Sequence, residues 1–130
     1  MRILIVDDNF TNRYLLDKIL NKYGKCDIGV NGHEAVEAFK LAMEEGDPYD
    51  LICLDLNMPS MNGHEALALI RQHEEASGIV GFDTVKVIIT SALDDVQNIR
   101  KAFVGQCEEY MVKPINAEKL VAAVKRLVKK

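Results

Sequence analysis

The sequence predicts an α/β fold in which helices wind on both sides of a parallel five-stranded sheet. Three observations carry that expectation. Short β-rich runs alternate with helical apolar stripes five times along 130 residues, a length that suits one compact domain over 1–130. Three of the runs are nearly continuous in apolar residues, as strands covered on both faces are. Turn signals separate the segments without any linker or low-complexity tract.

The first run, Arg2–Val6, meets Asp7-Asp8 rather than a small-residue cleavage site, so it reads as a strand and not a signal peptide. Leu16, Ile19, Leu20 and Tyr23 then follow the i, i+3, i+4, i+7 spacing of a helix stripe. A second strand is expected at Cys26–Val30, with the stripe Ala35, Val36, Phe39, Ala42 and Met43 behind it. Asp47-Pro48 marks a turn before the third strand, Leu51–Asp55. The next stripe is Ala66, Leu69, Ile70 and His73, followed by a loose stretch, Ala76–Thr84, and a fourth strand at Val85–Thr90. Val96, Ile99 and Phe103 give a short fourth stripe before the strand Glu109–Val112. Pro114 ends that strand, and Asn116 is placed to cap a last helix with Leu120, Val121, Val124, Leu127 and Val128 inward. All five stripes read as core. Right-handed crossovers and a switch point between the first and third strands give the order 2-1-3-4-5, a flavodoxin-like (βα)5 three-layer sandwich.

Composition narrows the function. Hydrophobic residues make up 48% and the formal net charge is −4, which disfavours a general nucleic-acid binder. No apolar run approaches the ~20 residues of a membrane span. Cys26, Cys53 and Cys107 lack metal-ligand spacing and read as reduced thiols, which implies a cytoplasmic protein.

Ligands of such a sheet collect at the carboxyl ends of its strands. Those ends deliver Asp7 and Asp8, Asp55, Ser91 and Lys113. The first turn has neither G-x-G-x-x-G nor a Walker A pattern, and two acids stand where an anion would dock. Any phosphate arriving there needs a cation. Hard oxygen donors point to Mg²⁺, with Mn²⁺ as a substitute. Each residue also has a plainer reading. Asp7-Asp8 suits a helix N-terminus as well as a metal, and Lys113 alone is an ordinary strand-end lysine. Asp55 closes an apolar run, where an ionised group is costly unless paired or coordinated.

With these residues in view, the chain resembles the receiver domain of two-component response regulators, the CheY-like family. The resemblance spans nearly the whole chain. Its most specific piece runs from Asp55 through Asn57, Met58, Pro59 and Gly63; Val6-Asp7-Asp8, Ser91-Ala92 and Lys113-Pro114 add to it. It implies that Asp55 is the phosphoacceptor. Mg²⁺ would be held by Asp8 and Asp55, by Asp7 largely through water, and by the backbone carbonyl of Asn57. Ser91 would bond the phosphoryl group and Lys113 would pair with it. Ser91 and Tyr110 would form the switch, Lys113-Pro114 a cis joint, and Asn57 and Leu93 would flank the water that ends the phosphorylated state. Thr90 adjoins Ser91, but period-2 alternation sends it to the other face.

Two features depart from the family pattern. Ser91 lies thirty-six positions after Asp55, which lengthens the stretch before the fourth strand, and Gln106-Cys107 stands where Gly-Ala is usual.

The function so implied is that of a stand-alone phosphoacceptor, not an enzyme in the ordinary sense, which assists its own phosphorylation and slow dephosphorylation. A sensor histidine kinase or a histidine phosphotransfer protein would be the donor. The face of the fourth helix, fifth strand and fifth helix would signal to a downstream protein, with no direct DNA binding and no membrane insertion. Asp7-Asp8-Asn9 with Asn12-Arg13 resembles the start of relay and hybrid-kinase receivers. Passing the phosphate on to another histidine is therefore the alternative. A haloacid-dehalogenase-type phosphatase is remote, because Asn57 stands where that chemistry needs a second acid.

Overall fold

The computed structural model describes residues 1–58, 60–92 and 106–128. Its strands are β1 (Arg2–Val6), β2 (Lys25–Gly29), β3 (Leu51–Asp55), β4 (Lys86–Ser91) and β5 (Glu109–Val112). Among the described residues its helices are α1 (Phe10–Leu20), α2 (Gly32–Glu44), α3 (Gly63–Ala76) and a C-terminal α4 (Ala117–Leu127), with a 3₁₀ turn at Gly81–Asp83. The expected stripe at Val96, Ile99 and Phe103, and Leu93 with it, lie outside the described residues. All strand pairs are parallel and their order is β2-β1-β3-β4-β5, as expected.

Strand alternation divides the core in two. Ile3, Ile5, Leu51, Cys53 and Ile88 face Leu16 and Leu20 of α1 and Leu120, Ala123 and Val124 of α4. Leu4, Val6, Ile52, Leu54, Val87 and Ile89 face α2 and α3 through Phe39, Leu67 and Ile70. Both faces of β1, β3 and β4 are thus covered, which is why their sequences lack polar alternation. Each described α-helix begins at an asparagine whose side chain accepts from the N–H three residues on: Asn9, Asn31, Asn62 and Asn116, at 2.8–3.0 Å. A cap of this kind contributes roughly 1 kcal/mol.

Two strands and one stripe differ from expectation. β2 sits one residue earlier because the Lys25 N–H donates to the Met1 carbonyl at the foot of β1, which leaves Val30 beyond the ladder. β4 runs through Ser91, whose carbonyl accepts from the Lys113 N–H at 2.7 Å. In α3 the buried line is Ala66, Leu67, Ile70 and Glu74, while Leu69 is exposed. Glu74 is buried because Arg71 pairs with it at 2.8 Å and the Val85 N–H donates to its other oxygen at 2.7 Å. The same guanidinium donates to the carbonyls of Val85 and Gln106 and pairs with Glu108, tying α3 to the starts of β4 and β5. His73 is half-buried, its ring set edge-on to Phe39.

Candidate functional site

β1 and β3 end side by side, with β5 beyond β4, and Asp7 and Asp8 after β1, Asp55 closing β3 and Lys113 after β5 form one cluster. Asp7 and Asp55 are 0% and 2% exposed. Oxygens of Asp7, Asp8 and Asp55 lie within 4.8 Å of one another, with Asp8 on the solvent side. Lys113 reaches across from the end of β5 and bridges two of them, at 3.0 Å from Asp7 Oδ2 and 3.1 Å from Asp55 Oδ1. Backbone donors hold both carboxylates as well: Asn9 N–H to Asp7 Oδ1 at 2.9 Å, and Asn57 N–H to Asp55 Oδ1, the oxygen that Lys113 also meets, at 3.2 Å.

Charge in the cluster is unbalanced. Three carboxylates face one ammonium. Burial, reinforced by the charge of Asp7, pushes the Asp55 carboxyl up to about 6, against the opposing pull of Lys113 and the Asn57 N–H. Burial works against the Lys113 ammonium, but its bond to Asp7 and the charge of Asp55 outweigh it and raise its pKa. Such a site is poised for a hard divalent cation, since carboxylate oxygens suit Mg²⁺ and coordination would relieve the repulsion that raises Asp55.

The other expected residues stand nearby. Ser91 is fully buried at the end of β4, one residue past Thr90, the register partner of Asp55. Its hydroxyl donates to the Ala92 carbonyl at 3.1 Å, so it is not joined to the acidic cluster. Thr90 is also buried, and the alternation of Val87, Ile88 and Ile89 between the two cores puts it on the opposite face from Ser91. Tyr110, in the middle of β5, is half-buried against the core that holds Val87 and Ile89. The Lys113–Pro114 peptide is cis. Leu93, expected beside Asn57, lies outside the described residues.

Gly63 belongs to the site, although sequence reasoning noted it only as part of a motif. It opens α3 against the back of Asp55, where an added Cβ would stand 2.4 Å from the Asp55 carbonyl oxygen and 2.9 Å from Leu56 Cα. Both obstacles are backbone. Gly63→Ala is therefore expected to destabilise the protein by about 1–3 kcal/mol, as overpacking does, and to displace Asp55. Urea unfolding checks it, and a midpoint equal to wild type would mean that the helix start retracts freely.

A profile for the response regulator receiver domain matches residues 3–125. The chain is 34% identical over 126 residues to hybrid signal transduction histidine kinase F of Dictyostelium discoideum, a match covering 96% of this chain and 11% of that kinase. The receiver domain of Ssk1 from Saccharomyces cerevisiae, crystallised with the histidine phosphotransfer protein Ypd1, superimposes with a TM-score of 0.81 at 30% identity, covering 98% of this chain and 88% of that one. A CheX–CheY–BeF3–Mg²⁺ complex from Borrelia burgdorferi gives a TM-score of 0.81 at 26% identity, covering all (100%) of this chain and 90% of that one.

Proposed function

The chain belongs to the response regulator receiver domain family, and from that membership we propose that residues 1–130 form one receiver whose phosphoacceptor is Asp55. The observation that carries this reading is the buried Asp55 carboxylate at the end of β3, which Lys113 bridges to Asp7.

In the proposed reaction an Asp55 oxygen attacks the phosphorus of a donor phosphohistidine. The new P–O bond forms as the P–N bond breaks, and the leaving imidazole takes up a proton. The donor is a sensor histidine kinase or a histidine phosphotransfer protein, a reading supported by the hybrid kinase among the relatives and by the Ypd1-bound neighbour. Asp8, Asp55, the Asn57 carbonyl and, through water, Asp7 would hold Mg²⁺, which supplies charge neutralisation at the phosphoryl oxygens. The CheY complex with Mg²⁺ supports that choice, and Mn²⁺ offers the same hard-oxygen chemistry. Lys113 adds a second positive charge where the phosphoryl group arrives. The protein accepts a phosphoryl group rather than turning over a substrate, so we do not class it as an enzyme. We assign it to the cytoplasm, where thiols such as Cys26, Cys53 and Cys107 stay reduced.

Phosphorylation gives Ser91 a new acceptor. Its hydroxyl must leave the Ala92 carbonyl to reach the phosphoryl oxygens, and that exchange is the event Tyr110 and the β5–α4 face would read for a downstream protein. Asn57 and Leu93 would then govern how readily water reaches the phosphorus. Passing the phosphate onward to another histidine is the second reading, favoured by the Asn9, Asn12 and Arg13 pattern behind Asp7-Asp8.

Ser91→Ala tests the switch apart from the chemistry. Labelling by a small acyl phosphate with Mg²⁺ is expected to survive, because the nucleophile and lysine are intact. The phosphorylation-dependent NMR shifts at Tyr110 are expected to vanish. If Thr90→Ala removes the shifts and Ser91→Ala keeps them, the reading residue is Thr90.

A further inference from the structure

Asp7 poses an accounting problem that its carboxylate does not solve. The residue is fully buried, so its backbone polar groups need partners within the protein. Its N–H continues the β1–β2 ladder by donating to the Gly29 carbonyl at 3.2 Å. Its carbonyl has no strand to bond. The last register pair of β1 with β3 is Val6 and Leu54, and the Leu56 N–H beyond it turns to β4, donating to the Thr90 carbonyl at 3.1 Å. Among the described residues the donor that meets the Asp7 carbonyl is the side chain of Arg13, with Nη1 at 2.9 Å.

Arg13 is well placed for this. The Asn9 side chain caps α1, and the Asn9 carbonyl accepts the Arg13 N–H at 3.1 Å, which sets Arg13 one turn above the loop. Its guanidinium lies 5.7 Å from the centroid of the Phe10 ring, a cation–π contact that limits its rotamers. The loop it spans is the one that carries Asp7 and Asp8. Asn9 in turn donates its N–H to the Asp7 carboxylate.

The geometry points to Arg13 as a positioning residue: by bonding the Asp7 carbonyl it fixes the β1–α1 loop so that the Asp7 and Asp8 carboxylates are presented together to a cation. This rests on the reading of those two carboxylates as the metal-holding groups proposed above. It gives Arg13, singled out in the sequence, a physical task within the site.

Charge and position make opposite demands here, and that separates them. If Arg13 acted only as a nearby positive charge, removing it would strengthen cation binding. If it positions the ligands, removing it weakens binding; loss of such a supporting hydrogen bond typically costs 10–100-fold in metal affinity. The test is Mg²⁺ titration of the wild type, Arg13→Ala, Arg13→Lys and Asp8→Ala, followed by NMR amide shifts. Amide hydrogen exchange at Asn9 in chelator supplies a readout without metal. Arg13→Ala is expected to bind Mg²⁺ about 10-fold more weakly and to speed Asn9 exchange while β3 amides keep their protection. Arg13→Lys, which keeps a donor and a charge, is expected to fall between. Equal or tighter Mg²⁺ binding by Arg13→Ala, or unchanged Asn9 exchange, overturns the assignment of Arg13. A wild type and Asp8→Ala of equal affinity would instead overturn the reading of the metal site itself.

Discussion

Asp55→Asn is expected to abolish phosphoryl labelling by a small acyl phosphate in Mg²⁺ and, at the same time, to stabilise the metal-free protein at neutral pH. The first effect follows because an amide is no nucleophile. The second follows from linkage. Burial and the charge of Asp7 raise the Asp55 carboxyl to about 6, above its ordinary value of 3.8. The folded state therefore favours the protonated acid. That contribution is fully present below about pH 4 and is lost as pH rises through 6. Asparagine never ionises and keeps it. At ~1.4 kcal/mol per pKa unit the gain is on the order of 3 kcal/mol at pH 7.5 and disappears in acid. Unfolding in chelator at pH 7.5 and 4.5 measures it. Stoichiometric labelling of the variant, or a wild type more stable than the variant at pH 7.5, would count against the site.

Lys113→Ala is expected to act in the other direction. Lys113 is the cation that faces both buried carboxylates, at 3.0 and 3.1 Å. Removing one member of a buried ion network leaves its partners uncompensated, at a cost of about 3 kcal/mol. The cost should be largest above pH 6 and shrink on acidification, because Asp55 then takes a proton instead. Mg²⁺ should restore part of the stability, since a divalent ion supplies the missing charge. Labelling should slow strongly even in saturating Mg²⁺. A variant as stable as wild type at pH 7.5 without metal would show that solvent already neutralises the cluster.

The site was legible in the sequence because its members sit at the ends of apolar runs. Asp7 after Val6 and Asp55 after Leu54 are placed by strand topology alone, and five βα alternations supply the topology. What was hidden depends on distant partners. Glu74 looks like a surface residue until its bonds to Arg71 and the Val85 N–H are seen, and it joins the inward line of α3 from which the expected Leu69 is excluded. Gly63 gives no sign that the Asp55 carbonyl lies behind it. Arg13 enters the sequence reading only within a relay-type pattern, because nothing in the sequence records the Asp7 carbonyl that it meets six residues earlier. Ser91 was expected just past the strand, whereas β4 includes it, and its bond to Ala92 depends on a rotamer that the sequence does not specify.

Cys53 lies in β3 two residues before Asp55, with 1% of its surface exposed and its thiol pushed up to about 12 by burial. A thiol reagent therefore reaches it only when the centre of the sheet opens, whereas Cys26 and Cys107 are half-buried and open to earlier attack. With those two replaced by alanine, the rate of Cys53 modification becomes a clock for opening beneath the acidic cluster. Because a cation that binds only the closed form slows that clock in proportion to its occupancy, Cys53 offers a native chronometer of the site's ligation state, needing no phosphate and no partner.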